Sequence, residues 1–134
     1  MVAGKEKPMM RFYIPAVVLL LIANSLFGGE PAELKTDTGI LRGTLEVPKT
    51  PEHWPAILFI AGSGPTDRDG NNSIAGRNDS LKLLAEALAK RGIGSLRFDK
   101  RAIAESSQAG RKEEDLRFET YIDDAVQWGK QLLK

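Results

Sequence analysis

The sequence predicts an α/β fold: an antiparallel hairpin of strands, then parallel strands joined by crossover helices. Three observations lead there. Ile40 to Val47 alternates, with Leu41, Gly43, Leu45 and Val47 on one side and Arg42, Thr44 and Glu46 on the other. That period of two belongs to an antiparallel strand with one wet face. Two short runs, Ala56 to Ala61 and Ile93 to Phe98, read as buried strands, the first apolar on both faces. Between them Leu81, Leu84, Ala85 and Leu88 recur at the spacing of one helix face. Strand, helix, strand in that order implies a parallel pair with the helix packed on the sheet.

Taken along the chain, Glu30 to Lys35 is a linker or a first strand, and Thr36-Asp37-Thr38-Gly39 is a turn. Pro48 to Pro55 is a loop with three prolines. The Ala56–Ala61 run reads as a central strand and opens into a turn-rich loop, Gly62 to Asn78. Asp79 or Ser80 is placed to cap the following helix, which ends at Gly92. Asp99-Lys100-Arg101 closes the next strand, and the expectation is a local ion-pair network there. Arg111 to Asp115 is a solvated charge run. From Arg117 onward Phe118, Tyr121 or Ile122, Ala125, Trp128 or Gly129, and Leu132 form a second helical stripe, with Trp128 and Tyr121 read as core. Asp123-Asp124 falls in the first half of that helix, a favourable solvated place for acids. No strand follows onto which this helix could pack back, so the 134 residues read as the front of a longer sheet.

The N-terminus carries a different signal. Lys5, Lys7 and Arg11 precede the apolar core Phe12 to Ala23, and small residues follow at Ala23-Asn24-Ser25. This is the layout of a secretory signal peptide, with cleavage expected after Ser25. Residues 1–25 are thus a signal peptide and 26–134 the folded portion, secreted or periplasmic. The alternative is an uncleaved anchor extended by Leu26 and Phe27, and only then is the membrane a partner. The apolar core falls short of the ~20 residues of a spanning helix, and Pro15 interrupts it. Beyond the leader the body is close to neutral, so it offers no field to draw in a phosphate backbone and nucleic acid is not an expected partner. With no cysteine, disulfides, thiolate nucleophiles and cysteine metal sites are excluded together.

The loop after Ala61 has several possible tasks. Gly62-Ser63-Gly64 gives backbone N–H groups open access to a developing negative charge, as an oxyanion hole requires. Phosphate cradling lacks its pattern, since neither the Walker sequence nor G-x-G-x-x-G occurs. Asp67, Asp69 and Asn71 have the first spacings of a calcium loop, but the glycine is Gly70, at the fourth position, and the twelfth is Asn78, which has no carboxylate. The plain alternative is a βα loop that satisfies itself through Asx turns. Ser63 has no base near it in sequence to make it a nucleophile. His53, the single histidine, lies before the strand beside Trp54 and Pro55 and reads as a surface or packing residue.

FIAGSGPTDRDGN, an amphipathic helix and then SLRFDKRAIAES resemble the front half of the α/β-hydrolase family, nearest its exported esterases and serine-peptidase-like members. The resemblance runs over about residues 36–134. It implies that Ala61-Gly62-Ser63 stands where the family has His-Gly-x, so Ser63 would serve the oxyanion hole through its N–H, flanked by Gly62 and Gly64. It also matches Asp99, Arg101 and Ser106 to the family's Asp-x-Arg-Gly-x-Gly-x-Ser turn, with Ala102 and Ala104 in place of the glycines. The family's nucleophile elbow, G-x-S-x-G, follows on the next strand, then the acid and the histidine. None of the three is present in this sequence. The resemblance therefore implies a carboxylic ester hydrolase with a small-molecule ester substrate and no cofactor or metal. The chain itself would be a portion of the enzyme, inactive alone. A peptidase of the same fold and a non-catalytic α/β module remain open.

Overall fold

The structure, a computed structural model, describes residues 29–49, 52–110 and 116–133. The leader expected at residues 1–25 and the charge run at 111–115 lie outside them. Four strands form one sheet: β1 (Glu30–Thr36), β2 (Gly39–Glu46), β3 (Ala56–Phe59) and β4 (Gly94–Phe98), in the order β1-β2-β4-β3. Helix α1 (Ser80–Ala89) joins β3 to β4, a 3-10 turn spans Ala104–Ala109, and α2 (Phe118–Leu132) follows.

β1 and β2 are antiparallel with Thr36 opposite Gly39, so the expected turn is a tight two-residue hairpin. Thr36 Oγ1 donates to the Gly39 carbonyl at 2.8 Å, and Thr38 Oγ1 donates to Ala109 O at 3.0 Å, tying the hairpin to the 3-10 turn. β2 runs antiparallel to β4, and β3 parallel to β4 with Leu58 opposite Leu96. The expected parallel pair and its crossover helix are therefore present.

The positions of the two runs are reversed relative to the reading of Ala56–Ala61 as central. β3 lies at the edge of the sheet, with Ile57 exposed, and Ile60 beyond it is 61% exposed. β4 is the central strand, and all five of its residues are buried. Its sequence concealed this, because Ser95 and Arg97 are polar. Arg97 can be buried because its guanidinium meets Asp69 at 3.0 Å and Glu46 at 3.1 Å.

The core is Leu41, Leu96, Phe98, Ala109 and Trp128, with Ala32, Leu34, Leu45, Leu58 and Leu132 packed against it. Trp128 comes from α2 and stacks on Phe98 with ring centroids 5.5 Å apart. Two glycines make this packing possible. A Cβ on Gly43 would lie 3.1 Å from the Trp128 ring, and one on Gly94 would lie 2.0 Å from the Trp54 ring. Trp54 thus closes over the start of β4, where Gly94 N–H donates to Pro55 O at 2.9 Å.

Several expected faces shift. On α1, Ala85 is buried, but Leu84 and Leu83 face out. On β2, Val47 lies just past the strand end and is exposed. On α2 the buried side is Asp124 and Trp128, while Phe118 is 75% exposed. Asp124 is the larger correction, since it is not solvated. It receives both Arg101 Nε at 2.7 Å and Nη2 at 2.8 Å, and both side chains are almost wholly buried. Asp79 occupies the N-cap position of α1 but makes no capping bond; its carboxylate accepts from Asn71 Nδ2 at 2.7 Å instead.

Candidate active site

Everything of chemical interest sits at the C-terminal ends of the parallel strands, β3 and β4, where ligands bind in open α/β sheets. Chain leaving β3 passes through buried Ala61 and emerges at Gly62, Ser63 and Gly64, all exposed. Gly64 has φ +75°, a left-handed conformation that suits glycine. A Cβ on Gly62 would have nothing within 4 Å, so the space beside it is open among the described residues.

Lys100 shapes this turn. Its Nζ donates to the Gly62 carbonyl and, at 3.0 Å, to the Gly64 carbonyl. Thr66 N–H donates to Gly64 O at 2.9 Å, and Thr66 Oγ1 to Ser63 O at 3.3 Å. The carbonyls of Gly62, Ser63 and Gly64 are all occupied. The Ser63 N–H donates to no acceptor among the described residues.

The rest of the loop satisfies itself through Asx turns. Asp67 Oδ1 accepts from the N–H groups of Asp69 (2.9 Å) and Asn71 (2.8 Å). Asn71 Oδ1 accepts from Asn78 and Asp79, both at 2.9 Å. Asp69 is taken by Arg97. The side chains that suggested a calcium loop are thus engaged in holding the loop's own backbone and anchoring it to β4.

Asp99-Lys100-Arg101 is not the local network expected of it. Asp99 and Lys100 reach two separate parts of the loop after β3, and Arg101 reaches α2. Asp99, buried, accepts from Arg68 N–H at 2.7 Å and Arg68 Nη1 at 2.5 Å, and from Glu105 N–H at 3.2 Å. Lys100 holds the Gly62–Gly64 turn. Arg101 crosses to Asp124 on α2 and donates to Thr38 Oγ1 at 2.5 Å. Burial pushes the Asp99 carboxyl above its ordinary value, against the pull of Arg68, and burial pushes the Lys100 ammonium down. The Arg68 guanidinium, despite its burial, is held above its ordinary value by Glu105 and Asp99. Asp124 raises Arg101.

Ser106 is buried, and its hydroxyl accepts from Arg42 N–H at 2.8 Å. Arg42 O accepts from Asp99 N–H at 2.9 Å, so the Ser106 hydroxyl takes over the neighbouring ladder position where β4 ends. Its role is structural. Ala102 (φ +65°) and Ala104 (φ +44°) keep the left-handed turn without the glycines. His53 precedes β3 and Ser63 follows it, so the strand separates them; His53 is exposed in a groove with Trp54, Leu58 and Leu132.

No protein-family model matches the chain. The α/β hydrolase GrgF from Penicillium sp. sh18 superposes with a TM-score of 0.53 and 26% identity over 75% of this chain. The chain has an α/β-hydrolase fold. It spans 32% of the length of GrgF. Esterase EstD of Thermotoga maritima is 37% identical over 65 residues, which are 48% of this chain and 15% of EstD. A 2,6-dihydroxy-pseudo-oxynicotine hydrolase superposes with a TM-score of 0.49 at 19% identity, covering 73% of this chain and 24% of its own. Within this fold the chain has the hairpin, the parallel pair and the strand-end loop, and its sequence carries no G-x-S-x-G. Sequence reasoning singled out Ser63 as a candidate donor and matched Arg101 to the family's turn. It missed the tasks of Lys100, Arg68 and Asp124, whose partners lie 23 to 38 positions away. The one local signal was three adjacent charges at a strand end.

Proposed function

We propose that this chain carries the oxyanion side of an exported serine hydrolase acting on small carboxylic esters. Ser63 supplies one donor through its backbone N–H, with Gly62 and Gly64 keeping the approach clear. The observation that carries the reading is that the Ser63 N–H, in an exposed turn past the C-terminal end of β3, donates to no acceptor among the described residues. A donor held in place before charge develops stabilises a tetrahedral intermediate without reorganising. The local identity to EstD supports an ester as substrate. The sequence carries no G-x-S-x-G, and among the described residues no serine, histidine and acid are brought together as a triad, so the role proposed for these residues is the oxyanion side alone.

The chain alone is therefore expected to show no turnover of small chromogenic esters and no stoichiometric labelling by a serine-reactive phosphonate. Turnover with labelling at Ser63 would make Ser63 the nucleophile and end this reading. Export rests on the basic residues and apolar core before Ser25. N-terminal sequencing of the exported product should begin near Leu26, and an intact Met1 on cytoplasmic product would refute export. Among the described residues no helix is long and apolar enough to cross a membrane.

A further inference from the structure

We infer that Lys100 is the positioning residue of the oxyanion turn, clamping the carbonyls on both sides of Ser63 so that its N–H is presented outward to an anionic oxygen. The inference rests on the reading of Ser63 as an oxyanion donor and adds the device that sets it.

A glycine-flanked turn left to itself samples several orientations of its peptide planes, because Gly62 and Gly64 each have broad backbone freedom. An ammonium that accepts nothing and donates up to three bonds can pin two carbonyls at once. With Gly62 O and Gly64 O drawn toward the Nζ, and Ser63 O taken by Thr66, the Ser63 N–H is left directed away from the clamp. The lysine also brings a formal positive charge to the base of the turn, which favours an anion at the donor. Its stem begins at the end of β4, the most buried strand, and the residues either side of it are anchored to Arg68 and Asp124. The clamp is therefore rooted in the rigid part of the molecule. The lowered pKa of Lys100 agrees with an ammonium withdrawn from water into this contact.

The test uses the full chain labelled with ¹³C and ¹⁵N, with sodium acetate as the oxyanion probe. Lys100→Met removes the donors and keeps the stem, Lys100→Arg keeps a cation, and protection of the Leu96 amide reports that β4 is intact. Expected are moved carbonyl shifts at Gly62 and Gly64 in Lys100→Met. The acetate response of the Ser63 amide should be weaker by about tenfold there, the scale of one charge-assisted contact, and largely restored in Lys100→Arg. Unchanged carbonyl shifts in the methionine variant, or an undiminished acetate response, would overturn the inference. Absence of any acetate response at Ser63 in the unsubstituted chain would refute the oxyanion reading, while the carbonyl shifts still decide whether Lys100 sets the turn. Should Lys100→Met fail to fold, nitrogen-15 spectra of the lysine side chains in the unsubstituted chain at low pH decide: the Lys100 ammonium must show hydrogen-bond couplings to the Gly62 and Gly64 carbonyls, and their absence in a resolved Lys100 signal would refute the clamp.

Discussion

Ala102 and Ala104 hold backbone conformations that an L-residue with a Cβ resists, in a turn whose two ends are fixed by Asp99 and Ser106. Each costs about 1 kcal/mol relative to a residue at ease there. Ala102→Gly and Ala104→Gly should each stabilise the chain by about that amount, measured by urea unfolding. The turn persists with alanine because Asp99, Arg101 and Ser106 are each held by distant partners, which outweighs two small strains. Asp99 gives a second expectation at this scale. Its pKa is raised by burial above the ordinary 3.8, so the folded chain binds its proton more tightly than the unfolded chain. This contribution to stability is full below 3.8 and is lost as pH rises through the raised value. The stability difference between wild type and Asp99→Asn should therefore decline with rising pH across that window. A difference that grows instead would mean that the Arg68 pairing, not burial, dominates.

At the scale of elements, the attachment of α2 to the sheet rests on two buried side chains of opposite character. Trp128 fills the space that Gly43 leaves open, and Asp124 closes on Arg101. Removing one partner of a buried pair leaves an uncompensated charge and typically costs 3–5 kcal/mol. Asp124→Ala should destabilise the chain by roughly 3 kcal/mol or more and expose Trp128, with a red-shifted tryptophan emission as the measurement. Asp123→Ala, one residue away and exposed, should change stability by less than about 0.5 kcal/mol. The stripe reading of α2 anticipated Trp128 and could not anticipate Asp124. A periodic pattern counts apolar residues, and the buried acid is a polar residue whose partner is 23 positions distant.

For the molecule as a whole, the sheet has an uneven distribution of cover. β4 is enclosed by β2 and β3. Among the described residues β3 is the outer strand, and Ile57 and Ile60 are exposed on and just beyond it. On α2, Phe118, Ile122 and Val126, spaced by four, form a second exposed apolar line. An open strand edge flanked by apolar side chains invites pairing with another chain. The purified chain should self-associate, and Ile57→Lys with Ile60→Lys should shift it toward monomer in sedimentation velocity. Equal association in both would place the contact elsewhere.

By itself the sequence determined the local grammar of this protein: the hairpin from an alternating strand, the β3–α1–β4 unit from apolar runs around a helical stripe, and the Ser63 turn from its glycines. These are set by contacts within a few residues, and periodicity records them directly. Tertiary structure decided which strand is central, because β2 inserts beside β4 only when the hairpin folds back, and an apolar run looks alike at an edge and in the middle. It also decided the partners of Arg68, Asp99, Lys100 and Arg101. A charged side chain is solvated or buried according to what lies across from it, and here the partner comes from another element in every case.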